Sequence, residues 1–174
     1  MIRRTIPQKT ISNEVELNGV GLHSGQKVNI KFKPAPVDTG LVFIREDLLE
    51  DNMIDANIKY ISNTDRGTNI DNGTVRIQTS EHVLAALVGL GIDNCFISLN
   101  GPEVPIMDGS SKDFIQVLEK AEIKEQGILR EEFFPDSPIT FKDEESGGEI
   151  SLVPYENYSL DTTCLLYTSP SPRD

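Results

Sequence analysis

The sequence predicts an α+β fold, antiparallel strands carrying two helices, on three observations. Val28, Ile30 and Phe32 alternate with Asn29, Lys31 and Lys33, the period of a strand with one wet face. Two stretches, 80–89 and 112–122, repeat apolar residues at helical spacing. Tight-turn signals, above all Asn72-Gly73, separate the remaining segments.

A first strand is expected within 6–17, with Ile11, Val15 and Leu17 as core residues. GVGLHSGQ follows at 19–26. Its glycines allow positive φ and close backbone approach, so a tight, exposed connection carrying His23 is expected. Pro34 and Pro36 stop the next strand, and a third short one is expected at 41–44. Residues 46–72 read as a small insertion, with a strand at 56–61. Thr64, Arg66 and Thr68 lie there either near a site or merely on a surface.

The first helix should open at Glu81, with the Thr79 or Ser80 hydroxyl as its cap. Val83, Leu84, Leu87 and Val88, with Ala85 and Ala86 between them, predict burial along much of its girth. Gly89 and Gly91 end it. Ile92, Cys95, Phe96, Ile97 and Leu99 then read as a strand near the sheet centre. GPEVPIMDGSS, 101–111, is a packed loop kept irregular by Pro102 and Pro105. A second helix beside the first carries Phe114, Ile115, Val117, Leu118 and Ala121 on one stripe.

Between 119 and 161, twelve acidic residues face four basic ones, and two strands at 139–141 and 149–153 flank a charged tip. A second domain therefore starts near Ile128 and stops before it closes, giving 1–127 and 128–163 as domain limits. Residues 164–174, CLLYTSPSPRD, read as a translated sequencing adapter, the alternative being a natural Ser/Pro-rich tail.

A net charge of -12 and a pI near 4.6 argue against a nucleic-acid partner, which demands surplus Lys and Arg. No apolar run approaches the roughly 20 residues that span a bilayer, and the N-terminus lacks the apolar segment of a signal peptide, so a cytoplasmic location is expected. Cys95 sits in a core strand and Cys164 near the end, which gives no disulfide framework.

Glu81 and His82 are the residues with chemical potential. Successive helical side chains point about 100° apart, so His82 could hold a metal while Glu81 stands over a water bound to it. The plainer reading has Glu81 offsetting the helix macrodipole and His82 as a half-buried, hydrogen-bonded residue. His23 reads as a polar turn residue or a site residue. Asp108 reads as a capping carboxylate or part of a polar site beneath its loop.

Four separated motifs, GVGLHSG at 19–25, KPAPVDTG at 33–40, SEHVLAALVGLGIDN at 80–94 and GPEVPIMDGSS at 101–111, resemble the UDP-3-O-acyl-N-acetylglucosamine deacetylases of lipid A biosynthesis. The resemblance implies two similar domains, each a mostly antiparallel sheet layered on two helices, with the first complete here and the second truncated. It implies Zn2+ as cofactor, His82 as a zinc ligand and Glu81 as the general base that deprotonates the attacking water. His23 and Asp108 are carried as supporting residues. A UDP-linked acylated amino sugar is the implied substrate, with peripheral contact at the inner membrane surface admitted. The remaining zinc ligands and the general acid fall where this sequence has no counterpart, since no histidine follows His82. The chain alone is therefore expected to be inactive. Alternatives are a catalytically dead binding module, or part of a bifunctional enzyme fused to a 3-hydroxyacyl carrier protein dehydratase.

Overall fold

The computed structural model describes residues 2–156 and Leu160. In chain order the strands are β1 (Ile2–Arg3), β2 (Pro7–Ile11), β3 (Val15–Val20), β4 (Lys27–Pro34), β5 (Leu41–Arg45), β6 (Met53–Asp55), β7 (Ile61–Asn63), β8 (Asn69–Asp71) and β9 (Arg76–Ile77). Helix α1 (Glu81–Gly89), β10 (Cys95–Leu99) and α2 (Lys112–Lys120) follow, then β11 (Ile123–Leu129), β12 (Glu132–Phe133), β13 (Ile139–Lys142) and β14 (Glu149–Leu152). These elements fall into two compact units, Arg4–Arg130 and a smaller one joining Met1–Arg3 to Glu131–Asp174.

The larger unit is built on a five-stranded sheet of order β3-β4-β10-β5-β6. β10 lies at its centre, antiparallel to β4 and parallel to β5, so Ile97 stands level with Phe32 on one side and Phe43 on the other. All three are fully buried, as are Val83, Ala86 and Leu87 of α1 and Phe114 and Leu118 of α2, and they belong to one apolar cluster. Burying each large side chain of this row contributes roughly 2–3 kcal/mol. The alternation read in β4 is what puts Val28, Ile30 and Phe32 inside while Asn29, Lys31 and Lys33 face out; Lys31 and Lys33 there meet Glu46.

Four expectations need correction. Residues 6–17 form two strands, because the chain turns at Ser12–Asn13, whose N–H groups bond the Ala121 and Glu122 carbonyls. Helix α1 is buried along one stripe only, with Ala85 and Val88 exposed. Within 56–61, Ile58–Tyr60 is a 3-10 turn capped by the Asn57 side chain, and the strand starts at Ile61. Finally, the polar stretch IKEQGIL forms β11, antiparallel to β2, where no strand was expected.

Helix α1 ends as its glycines require. Gly91 has φ of +69°, the Gly91 N–H bonds the Val88 carbonyl, and the Ile92 N–H reaches back to Leu87. That is a Schellman closure, and its left-handed residue favours glycine. Of the insertion, β6 joins the main sheet, while β7 and β8, with β9 that follows the insertion, form a small sheet. Arg45 ties it to the main sheet, with a bidentate pair to Asp47 at 2.7 Å and a bond to the Arg76 carbonyl at 2.9 Å.

In the smaller unit β1 pairs with β12, and β13 with β14 as an antiparallel hairpin. The hairpin register sets Ile139 opposite Leu152 and Phe141 opposite Ile150, so four apolar side chains share one face, all exposed. The tail at 164–174 lies outside the described residues. No helix among the described residues is long and apolar enough to cross a membrane.

Candidate functional site

Glu81 and His82 form the first turn of α1, and the neighbouring loop aims them. The Thr68 N–H donates to Glu81 Oε2 at 2.8 Å. The Thr68 carbonyl accepts the Ser80 N–H at 3.1 Å and the Ser80 hydroxyl at 2.9 Å. The hydroxyl expected to cap the helix is thus engaged outside it, while Thr79 Oγ1 points to Glu103 at 3.5 Å, so neither residue supplies a side-chain cap. Tertiary bonds hold this helix start in place of a local one. Thr79 also adopts φ of +58°, a conformation that costs a β-branched residue about 1–3 kcal/mol. That strain sits two residues before Glu81.

His82 Nε2 lies 3.8 Å from Glu81 Oε1, and the two side chains retain 26% and 36% of their exposure. The pair is therefore open to solvent on one side. The Ser111 hydroxyl donates to the His82 carbonyl at 2.9 Å, which fixes the start of α2 beside it.

His23 approaches the same loop from the other side. Its Nε2 stands 3.3 Å from the Arg66 carbonyl, two residues before the Thr68 amide that binds Glu81. The structure thus brings His23 and Glu81 onto one short segment, with His82 beside Glu81, and Arg66 and Thr68 act there through their backbones. Asp108 is not drawn in. It is exposed and accepts the Ser110 N–H at 2.9 Å and hydroxyl at 2.7 Å, bonds that hold its carboxyl below the usual range. The helix cap position belongs to Ser111, so Asp108 orders the turn before it.

Sequence reasoning missed Glu103. Only 1% exposed, it accepts the His23 N–H at 2.8 Å on Oε1 and the Ser24 N–H at 2.9 Å on Oε2. Burial pushes this carboxyl up, but the bonds from His23 and Ser24 together outweigh it and hold the group below the ordinary Glu value. The available signal was the tight glycine motif. A Cβ on Gly21 would run into Glu103 Oε2 and Ser24 Oγ, so the backbone there is bare to admit the carboxylate.

A depressed folded pKa contributes stability above the unfolded value, about 4.3, and that contribution disappears as pH falls through the folded value. The urea midpoints of the wild type and Glu103→Gln are accordingly expected to differ most near pH 7 and to draw together as pH falls below about 4. A constant gap across that range would rule this out.

Among the described residues, no group of three or more His, Cys, Asp or Glu is placed to hold a metal ion. Catalytic zinc takes three protein ligands, so His82 and its neighbours do not complete such a site.

The site is thus a half-buried Glu-His pair at a helix start on an α+β scaffold, and the family is shown directly by comparison. The chain belongs to the LpxC family, the UDP-3-O-acyl N-acetylglycosamine deacetylases, whose model matches residues 8–171. It is 43% identical over 166 residues to a bifunctional enzyme LpxC/FabZ of Chlorobaculum tepidum, a match covering 95% of this chain and 35% of that protein. It is 42% identical over 158 residues to the UDP-3-O-acyl-N-acetylglucosamine deacetylase of Legionella pneumophila strain Corby, covering 91% and 51%. The Coxiella burnetii deacetylase is 41% identical over 155 residues, covering 89% and 50%. The chain spans about half the length of the monofunctional relatives and about a third of the bifunctional one.

Proposed function

We propose that this chain is part of a deacetylase that removes the N-acetyl group of a UDP-3-O-(3-hydroxyacyl)-N-acetylglucosamine in lipid A biosynthesis, with Glu81 as general base and His82 as a zinc ligand. The observation that carries the reading is the open Glu81-His82 pair, with the carboxylate steadied by the Thr68 amide. Glu81 takes the proton of a water attacking the N-acetyl carbonyl; the C–N bond then breaks as the glucosamine nitrogen gains a proton, which balances the one the water gave up, and acetate is released. No step is assigned to the metal, because these residues supply only part of its coordination. His23 supports the site through the loop it shares with Glu81. The assignment of Asp108 rests on its motif alone.

In this reading 1–127 forms the first two-layer domain, 128–163 opens a second, and the reaction is cytoplasmic. The likeness to the Chlorobaculum tepidum protein favours a second version, in which the parent is bifunctional and carries a dehydratase domain.

Two measurements test the proposal. Calorimetric titration of the 174-residue chain with zinc is expected to give no stoichiometric tight binding, and tight binding would show that the ligand set is complete without another half. Joining the chain to the rest of the Legionella pneumophila deacetylase is expected to yield deacetylation that the chain alone lacks. A well-folded but inactive fusion would count against the assignment.

A further inference from the structure

We propose that Glu103 is a positioning residue whose buried carboxylate clamps the 19–25 loop against the start of α1 and so sets where His23 stands relative to Glu81. The loop carrying Glu103 lies between the two segments it would join. On one side Gln78 N–H bonds the Pro102 carbonyl at 2.7 Å and Val104 N–H bonds the Gln78 carbonyl at 3.0 Å, fixing the segment that runs into Thr79 and α1. On the other side Ile106 N–H bonds the Val20 carbonyl at 3.0 Å, fixing the segment that runs into His23.

The carboxylate completes this arrangement. Its two oxygens take the amides of consecutive residues, one each from His23 and Ser24, and the oxygen that holds His23 also faces the Thr79 hydroxyl. Those bonds come from amides and a hydroxyl, with no Lys or Arg among them. Desolvating a carboxylate costs more than desolvating a neutral side chain, and here the bonds from His23 and Ser24 outweigh that cost. What the charge adds is a pair of stronger bonds of fixed direction on the His23 backbone. Gly21 is part of the same device, since any side chain there would enter the space occupied by Glu103 Oε2 and Ser24 Oγ.

The functional meaning rests on the reading of His23 and Glu81 as site residues, but the test does not. In solution NMR of the 174-residue chain, the presence of only two histidines makes the His23 ring easy to assign. Glu103→Gln is expected to lower amide-exchange protection at His23 and Ser24 by roughly tenfold to a hundredfold. It should also remove the contacts between the His23 ring and Arg66, while the amide signals of β4 and β10 stay in place. Gly21→Ala, which displaces the carboxylate without removing it, is expected to give the same signature. Retention of the His23–Arg66 contact in a folded Glu103→Gln chain overturns the proposal. Collapse of the β4 and β10 signals in both variants overturns it as well, because Glu103 would then serve the fold as a whole. An inactive fusion protein would refute the deacetylase reading and leave this NMR pattern unchanged.

Discussion

Glu81→Gln, placed in the fusion with the remaining half of the Legionella pneumophila deacetylase, is expected to lower the deacetylation rate by roughly 10²–10⁴-fold, the range for losing a positioned general base. The amide keeps an oxygen for the Thr68 N–H, which now bonds Glu81 Oε2 at 2.8 Å, so the side chain should hold its place. What disappears is the capacity to accept a proton. The rate should therefore fall with little change in KM, since the interaction lost is one made in the transition state. Steady-state kinetics over a substrate series decide the matter. An equal loss carried by KM would make Glu81 a binding residue.

Phe43→Ala is expected to destabilise the larger unit by about 3–5 kcal/mol, enough to remove much of the stability of an ordinary domain. Phe43 is 0% exposed and shares its row with Ile97 and, through it, Phe32, two side chains that are themselves fully buried. A cavity at that point cannot close without shifting the central strand. Val88→Ala, on the exposed stripe of α1, is the control and should change stability by less than about 0.5 kcal/mol. Urea unfolding followed by circular dichroism separates the two. Comparable losses at both positions would mean that the helix face had been misplaced.

The parts of the fold legible in the sequence were those governed by local rules. The alternation through Val28, Ile30 and Phe32 marked β4 because one face of that strand is wet and the other is not. Gly91 marked the end of α1 because a left-handed residue is needed there. β11 was illegible for the opposite reason: Lys124, Glu125 and Gln126 carry no apolar alternation, and the strand exists because β2 offers it a partner. The Ser80 cap failed because Thr68, distant in sequence, takes the hydroxyl. At the candidate site, Glu81, His82 and His23 could be named from their motifs. Glu103 could not, because an acidic residue in a proline-rich loop reads as solvated until the backbone of His23 and Ser24 is known to close over it.

The placement of β10 has a consequence for biogenesis. β4 and β5 are separated by only a short connection, yet they never touch as neighbours, since the strand that fits between them is encoded some fifty residues later. While the ribosome is still making the insertion and α1, both inner flanks of that gap stay open, each offering free amides and carbonyls to any passing extended chain. Closure waits for Cys95–Leu99 to emerge, so the larger unit is vulnerable to misassembly for much of its synthesis and should gain from chaperones that shield nascent strands.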